Sequence, residues 1–440
     1  MSLYIKISRH FTINNITRGF FIAFLSAGAI YLDWLGLVSY LINTILGILT
    51  LYLLLDSDRK TWFWSGFFIG ALWFWWMSVS FFNYGFAWAI PIGILFPALV
   101  YGFIFWFVAF VAERLGNDGF SLAIFGRKRS DSKNSNIYTL GLKALALLTL
   151  SYLHPFSFDW FKMELIFTNS YIGILKWQFA IVLLSIILSL QKKDLRFLLL
   201  IILAYPFTSH FNKTELPQYN LSITNTMVTV ADKWNPKLEN SHIDMVFNKI
   251  DRAVAQKKSI IVFPESVLPL FLNTRPNLMT ALQGASNDIS IVIGGLYWDD
   301  GIPRNSTYIF KDGRFSIANK VVLVPFGESN PLPKWMGKIV NNLFFDGAPD
   351  YVASAEVTDY EVNGITFRNA ICFEGTSEEL YVGNPKQMIL LSNNGWVTPS
   401  IEPTEQKILL QYYNKKYGTT IYHSANMSPS YIVHNGEVIR

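Results

Sequence analysis

Long apolar runs alternate with short polar segments through the first half of the chain. Seven of these runs approach or reach the roughly 17 to 25 residues that a membrane-spanning helix needs. They cover residues 19–33, 37–55, 61–82, 88–112, 139–154, 171–190 and 194–208, and the first, fifth and last are short. This pattern predicts a multi-span helical membrane domain over residues 1–210.

Basic residues are concentrated in every second loop between these runs. They are Lys6, Arg9 and Arg18; Arg59 and Lys60; Arg114, Arg127, Lys128, Arg129 and Lys133; and Lys192, Lys193 and Arg196. The alternate loops carry almost no cations apart from Lys162. By the positive-inside rule the N-terminus is cytoplasmic, and seven crossings place the second half of the chain on the outer face.

The first run also permits a second interpretation. Basic residues precede it, and Ala27-Gly28-Ala29 resembles the cleavage site of a signal peptide. Cleavage would leave six helices and the same outer location for the second half. A retained helix is favoured, because further apolar runs follow at once.

After Pro217 the pattern changes to short β-rich runs separated by turns and helical segments. The predicted strands are "YNLSITNT", "SIIVFPES", "ISIVIGGLYW", "STYIFKDG", "ANKVVLVPFGE", "ITFRNAICFEG", "QMILLSNNGW" and "TTIYHSAN". Between the first two, Ile243, Phe247, Ile250 and Val254 recur at helical spacing. Asp312-Gly313 predicts a hairpin turn. Residues 211–440 are therefore expected to form a layered α/β sandwich.

Composition narrows the class of protein further. With 51% hydrophobic and 15% charged residues, the chain is too apolar for an ordinary soluble protein. A single cysteine, Cys372, excludes an intrachain disulfide framework and a cysteine-rich zinc site, so no metal is expected. The net charge of +5 lies mostly in the loops described above. We therefore expect no nucleic-acid partner.

Chemically reactive side chains stand at the ends of three predicted strands. They are Glu265 in "IIVFPES", Lys320 and Glu328 in "NKVVLVPFGE", and Cys372 and Glu374 in "NAICFE". Each alone has an ordinary explanation, since a lone cysteine is usually buried in the core and a lone lysine usually lies on the surface. Apolar strands of α/β folds often carry their sites at such ends.

Together the three segments hold complementary chemistry. A thiol attacks an acyl carbon as thiolate and needs a base, which Glu265 can supply. The resulting oxyanion needs positive donors, which Lys320 and the backbone N–H of Phe373 can supply. The two further acids, Glu328 and Glu374, can hold the lysine and orient an amine.

The order of these motifs resembles that of the nitrilase superfamily of carbon–nitrogen hydrolases, which carries a Glu-Lys-Cys triad on an αββα sandwich. A nitrilase-like domain behind a multi-span membrane bundle resembles, more closely, the apolipoprotein N-acyltransferase family. "LVPFGE", "LLSNNGW" and "ADKWNP" are also similar to segments of that family. The resemblance covers nearly the whole chain.

The resemblance implies an activity and substrates. The family transfers a fatty acyl chain from a phospholipid, through a cysteine thioester, to the α-amino group of the diacylglyceryl-cysteine of a lipoprotein. Carried over, Cys372 is the nucleophile, Glu265 the base and Lys320 the oxyanion donor, with no cofactor. The expected location is the bacterial cytoplasmic (inner) membrane, with the second domain facing the periplasm.

Three further residues are candidates for substrate binding. Trp234 lies where the family has a tryptophan that contacts substrate, and Asn393 and Trp396 belong to "LLSNNGW". For each tryptophan, ordinary packing is an equally good explanation, because tryptophan is commonly largely buried.

Other functions remain open from the sequence alone. A membrane-tethered amidase would use the same triad and release the acyl group to water. A non-enzymatic scaffold is disfavoured by the complete triad. A transporter is disfavoured because the spans carry no obvious buried charge pairs, although Asp33, Asp56 and Lys143 lie near span ends.

Overall fold

A computed structural model describes residues 13–117, 132–207, 214–333 and 350–440, together with residues 335, 337–339 and 342. The chain divides into two compact units. The helical unit comprises the described residues of 1–155, 161–211 and 399–408. The sandwich unit comprises those of 156–160, 212–398 and 409–440.

The helical unit is built from apolar helices joined by short turns. Its α-helices are Ile13–Trp34, Tyr40–Leu55, Arg59–Phe74, Val79–Asn83, Ile90–Asn117, Ser132–Thr149 and Lys176–Lys192, followed by the 3-10 helix Leu195–Ala204. By length and composition, three helical stretches are able to cross a membrane: Asn14–Trp34, Arg59–Asn83 and Ala87–Gly116. Shorter apolar helices are Tyr40–Leu55, Ile137–Tyr152 and Leu195–Ala204. Each predicted apolar run therefore coincides with helical structure, and the number of crossings stays a prediction.

Two glycines let a pair of these helices pack closely. Gly66 and Gly70 lie one turn apart on helix Arg59–Phe74. A Cβ atom at Gly66 would clash with the carbonyl oxygen of Tyr101, and one at Gly70 with that of Pro97, both on helix Ile90–Asn117. Small residues at this spacing are typical of helix pairs in membranes, where close backbone approach maximises packing.

Ion pairs connect three of the predicted spans to other segments of the helical unit. Buried Glu164 pairs with Lys176 at 2.6 Å, and Asp33 pairs with Lys407 at 2.5 Å. Lys143 is buried and lies 3.8 Å from Glu113. These pairs join segments distant in the sequence, so the pattern along the chain did not reveal them. Charges buried in low dielectric persist when they are paired in this way.

Two β-sheets form the sandwich unit. Its strands are β1 Leu221–Ile223, β2 Asn225–Thr226, β3 Ile260–Val262, β4 Ser290–Asp299, β5 Ile302–Lys311, β6 Arg314–Asn319, β7 Asp359–Val362, β8 Ile365–Ile371, β9 Gln387–Asn393, β10 Thr420–Asn426, β11 Tyr431–His434 and β12 Glu437–Ile439. The first sheet has the order β1-β3-β4-β5-β6. The second has the order β12-β11-β10-β9-β8-β7, with β2 paired to β10. In each sheet three neighbouring strands run parallel: β1-β3-β4 and β8-β9-β10.

The two sheets pack face to face through apolar side chains. Val262 and Val292 of the first sheet belong to one buried cluster with Phe367, Ile389 and Leu391 of the second. On the outer face of the first sheet, helices Glu239–Ala255 and Pro276–Ala285 bury a second cluster. Helix Glu402–Tyr417 follows the turn after β9. These layers confirm the predicted αββα sandwich.

Most local predictions in this unit are confirmed. Asp312 and Gly313 both have positive φ and join β5 to β6, with Lys311 paired to Arg314. The helical spacing that begins at Ile243 lies within helix Glu239–Ala255. Its most buried face is centred on Val246 and Ile250, whereas Val254 is exposed.

The predicted strand "ANKVVLVPFGE" is wrong beyond its first residues. Strand β6 ends at Asn319, and the following segment is irregular. Its backbone N–H groups are taken by buried carboxylates instead of a neighbouring strand: Val321 and Val322 donate to Glu374, and Val324 donates to Glu328. Apolar alternation predicts a strand but does not reveal such competing acceptors.

Candidate active site

Two of the predicted reactive groups follow parallel strands. Glu265 lies three residues beyond the end of β3, and Cys372 follows β8 directly. Gly294 of β4 permits the close approach of the Glu265 segment, because a Cβ atom there would lie 2.7 Å from the Glu265 Cα. The carboxyl ends of parallel strands are a common place for sites in α/β folds. Strands β3 and β8 belong to different sheets, and Glu265 and Cys372 both lie within electrostatic range of Lys320.

Lys320 follows β6 and is 1% exposed. Its Nζ atom lies 2.7 Å from Glu328 Oε2 and 3.8 Å from Glu265 Oε1. Its backbone N–H donates to the Asn305 carbonyl oxygen at 3.0 Å, which fixes the start of the side chain. The structure thus brings Glu265, Lys320 and Glu328 together, as the sequence predicts.

Asn305 connects the two acids and was not identified from the sequence. Its Nδ2 donates to Glu265 Oε1 at 2.7 Å and to Glu328 Oε1 at 2.8 Å. It begins a buried polar run with Ser306 and Thr307 in the middle of β5. Buried polar side chains within a strand are uncommon, so this run was the available signal.

Glu374 is fully buried and connects the lysine segment to the cysteine segment. Its Oε2 accepts from the backbone N–H groups of Val321 and Val322, and its Oε1 accepts from that of Ile371. These residues directly follow Lys320 and directly precede Cys372. Glu374 therefore fixes the relative position of two reactive groups. Because burial outweighs the nearby Lys320 charge and these N–H groups, its pKa rises to about 7.

The charge of Lys320 is maintained by its surroundings. Burial disfavours the ammonium, but Glu328, Glu265, Cys372 and Glu374 act in the opposite direction, and the net effect raises the Lys320 pKa above its ordinary value. Lys320 is therefore a fixed cation in the neutral pH range, as an oxyanion donor must be.

Cys372 lies on a strained turn. Its φ of +55° is in the left-handed region, which is unusual for a residue with a side chain. It begins the 3-10 turn Cys372–Thr376 at the end of β8. Strained backbone of this kind clusters at functional sites, where surrounding contacts hold it in place.

Two aromatic residues of the short segment 156–160 contact Phe373, the residue after the cysteine. Phe158 and Trp160 stack on Phe373, with ring centroids 5.9 Å and 6.1 Å away. Residues 156–160 group with the sandwich unit, although they lie between apolar runs. The segment mixes aromatic and charged side chains, but its contact with Phe373 spans more than two hundred residues and is not visible in the local pattern.

A second buried lysine, Lys233, was also missed. It is 3% exposed, and its Nζ donates to the backbone carbonyl oxygen of Glu265 at 2.9 Å. Burial lowers its pKa to about 8, opposed by the nearby Glu265 and Cys372. Within the segment "ADKW", the sequence predicts a substrate-binding role for Trp234 only.

The substrate-binding candidates occupy different surroundings. Trp234 is 43% exposed and lines a cavity of about 110 Å³ together with Lys233 and His242. Asn393 ends β9 and is buried; its Oδ1 accepts from Asn426 Nδ2 at 2.8 Å.

Trp396 is half-buried in the short turn after Asn393. The contacts of Asn393 hold the sandwich together, so Trp234 is the candidate most open to a ligand.

Within the described parts of the chain, no three His, Cys, Asp or Glu side chains are grouped to hold a metal ion.

A family model and the curated relatives point to the same protein family. The model of the apolipoprotein N-acyltransferase integral membrane domain matches residues 13–210. The chain is 38% identical over 407 residues to the apolipoprotein N-acyltransferase of Wolinella succinogenes, covering 92% of each chain. It is 32% identical over 403 residues to that of Helicobacter pylori, covering 90% of this chain and 88% of the relative.

Among solved structures, a CN-hydrolase superfamily protein from Xanthomonas campestris is similar to half of the chain. It is 13% identical with a TM-score of 0.37, and the match covers 50% of this chain and 83% of that protein. The identities to the two curated relatives extend over nearly the full length of both chains. The protein therefore belongs to the apolipoprotein N-acyltransferase family.

Proposed function

We propose that this protein is an N-acyltransferase that moves a fatty acyl chain from a membrane phospholipid to the α-amino group of a lipoprotein's diacylglyceryl-cysteine. The observation that carries the proposal is the grouping of Glu265 and Lys320 at one buried site, with Cys372 in electrostatic range of Lys320. The relatives that match almost the whole chain bear the same activity in their names.

In the first half-reaction Glu265 accepts the proton of the Cys372 thiol. The sulfur attacks the ester carbonyl carbon of the phospholipid, and the electron pair of the C=O bond moves to oxygen. Lys320 and the Phe373 N–H stabilise this oxyanion. When the intermediate collapses, the ester C–O bond breaks, Glu265 gives its proton to the leaving alkoxide, and a lysophospholipid departs.

In the second half-reaction the lipoprotein amine attacks the thioester carbonyl carbon. Glu265 accepts a proton from the attacking nitrogen, and the same donors stabilise the second oxyanion. The C–S bond then breaks, an amide is left on the lipoprotein, and the Cys372 thiolate recovers its proton. The same carboxylate serves both half-reactions, because in each it takes a proton from the nucleophile and then gives it to the leaving group.

Glu328 and Glu374 support this chemistry without forming bonds to substrate. Glu328 pairs with Lys320 at 2.7 Å and shares Asn305 with Glu265. It therefore holds the ammonium in place, and the Asn305 amide that donates to both carboxylates offsets part of their mutual repulsion. Glu374 fixes the backbone on both sides of the site.

A membrane-tethered amidase would share the first half-reaction and hydrolyse the thioester with water. The apolar helical unit favours transfer, since both proposed substrates are lipids that stay in the bilayer. The names of the relatives favour transfer for the same reason.

We also propose that the protein is a multi-pass protein of the bacterial inner membrane with its sandwich unit in the periplasm. The alternation of basic loops supports this orientation. In a Cys372→Ser background, a cysteine introduced at exposed Gln218 should react with a membrane-impermeant maleimide from outside. A cysteine at exposed Lys192 should react only after lysis. The reverse result would invert the proposed orientation.

The central test measures the acyl-enzyme directly. Purified protein is incubated with a phospholipid of defined acyl chains, and intact mass spectrometry then detects the mass of one acyl group on the wild type. Cys372→Ser should show no adduct that hydroxylamine at neutral pH removes. A serine variant that acylates normally, or a wild type that never does, would falsify the proposal.

A further inference from the structure

We propose that Lys233 is a second cationic positioning residue of the active site, which fixes Glu265 through its backbone carbonyl and whose charge favours the thiolate of Cys372. This inference rests on the proposed function, because it assumes that Glu265 is the base and Cys372 the nucleophile. Its test, however, needs no lipid.

The geometry of Lys233 is unusual for a lysine. The side chain is 3% exposed and comes from the short helix Val230–Lys233, which precedes the first sheet-covering helix. Lysine is rarely buried unless it is paired. Here the ammonium donates to the carbonyl oxygen of Glu265, at 2.9 Å.

That hydrogen bond acts on the general base. Glu265 lies in a turn directly followed by Ser266, whose φ of +44° is left-handed. A strained turn needs external contacts to keep its shape. Lys233 supplies one of them on the backbone, while Asn305 holds the Glu265 carboxylate from the other side at 2.7 Å. The two contacts together fix the direction in which the carboxylate points.

The second effect is electrostatic. Lys233 interacts with both Glu265 and Cys372. Glu265, Glu328 and Glu374 interact with Lys320, as Cys372 does, and negative charge near a thiol raises its pKa. Lys320 alone offsets them only in part, because Glu328 is in direct contact with it. A second cation nearby makes the thiolate easier to form.

The charged and titratable groups around this pair come from several elements. Lys233 interacts with His242, Glu265 and Cys372, and Asp232 interacts with His242. Lys320 interacts with Cys372, Glu265, Glu328 and Glu374. Glu239 lines the same cavity as Lys233. Any pH profile of the thiol reports on this set, so single substitutions with a matched control are required.

The single cysteine makes the measurement direct. Full-length protein in detergent is treated with iodoacetamide over a range of pH, and intact mass gives the alkylation rate of Cys372. Lys233→Met removes the charge and the donor, whereas Lys233→Gln removes the charge and keeps an amide donor. Lys237→Met is the control, because Lys237 is an exposed lysine on the same segment.

Both Lys233 variants should alkylate about tenfold more slowly near neutral pH, with the profile displaced to higher pH by about one unit. Lys237→Met should match the wild type. The inference is overturned if folded Lys233→Met and Lys233→Gln follow the wild-type profile, or if Lys237→Met shifts equally. A wild type that alkylates normally but never acquires an acyl group would contradict the proposed function instead.

Discussion

Lys320 and Lys233 are both buried in the sandwich unit, yet their surroundings differ. Lys320 lies 2.7 Å from one carboxylate and 3.8 Å from another. Lys233 contacts a neutral carbonyl oxygen. As a result the pKa of Lys320 is raised, whereas that of Lys233 falls to about 8. Burial penalises both charges, and only directly paired carboxylates reverse its effect.

The difference indicates a division of roles. A lysine locked as a cation by Glu328 suits the stabilisation of an oxyanion, which forms and disappears during each turnover. Lys233, whose pKa is lowered to about 8, suits a positioning role beside Glu265 and Cys372. Substitutions of the two lysines should therefore differ in the size of their effect on the reaction rate and in their pH dependence.

The largest effect is expected for Lys320→Met. Formation of the acyl adduct from phospholipid should slow by about a thousandfold, because the first oxyanion loses its charged donor. Single-turnover mass spectrometry measures the rate. Lys233→Met should slow the same step by only about tenfold.

Lys237→Met again serves as the control for loss of a lysine from the surface. Equal losses in Lys320→Met and Lys233→Met would remove the contrast between the two sites. A nearly normal rate in folded Lys320→Met would remove its oxyanion role altogether.

An intermediate effect is expected for Glu374→Gln, which mimics the protonated acid beside Lys320. The folded pKa of about 7 exceeds the ordinary value of 4.5, so the unfolded chain ionises more readily and wild-type stability falls as pH rises through this range. Between about pH 5 and about pH 8, the wild type should lose about 2 kcal/mol relative to the variant.

Thermal unfolding in detergent at both pH values measures this difference. An offset between Glu374→Gln and the wild type that stays constant with pH would show that Glu374 does not titrate in this range. The raised pKa of Lys320 would then depend on Glu328 and Glu265, without a titrating Glu374.

The smallest effect concerns the pH dependence of Lys233. Its folded pKa of about 8 lies below the ordinary 10.5, so the unfolded chain holds the proton more tightly and stability rises as pH increases. Between about pH 7 and about pH 9, the wild type should gain about 1 kcal/mol relative to Lys233→Met.

The same unfolding experiment, repeated at alkaline pH, tests this sign. Lys320 should contribute nothing over the window, because its raised pKa keeps it charged throughout. A stability difference between wild type and Lys233→Met that does not change with pH would show that Lys233 stays charged over this range, as Lys320 does.

The family could be predicted from the sequence because it depends on local pattern, whereas the roles of the principal reactive residues stay a prediction. Apolar runs of the right length indicate helices, and short β-rich runs indicate strands, whatever their neighbours are. Glu265, Lys320 and Cys372 are candidates because each belongs to a characteristic motif at one end of a predicted strand.

Tertiary structure decided the rest, because burial and long-range partners leave little trace in a sequence. Val321 and Val322 read as strand, but the buried carboxylate of Glu374 takes their N–H groups. Phe158 lies between two apolar runs of the first half of the chain, but it stacks on Phe373. Lysines look alike along a chain, and only folding gives one of them two carboxylates and the other a carbonyl oxygen.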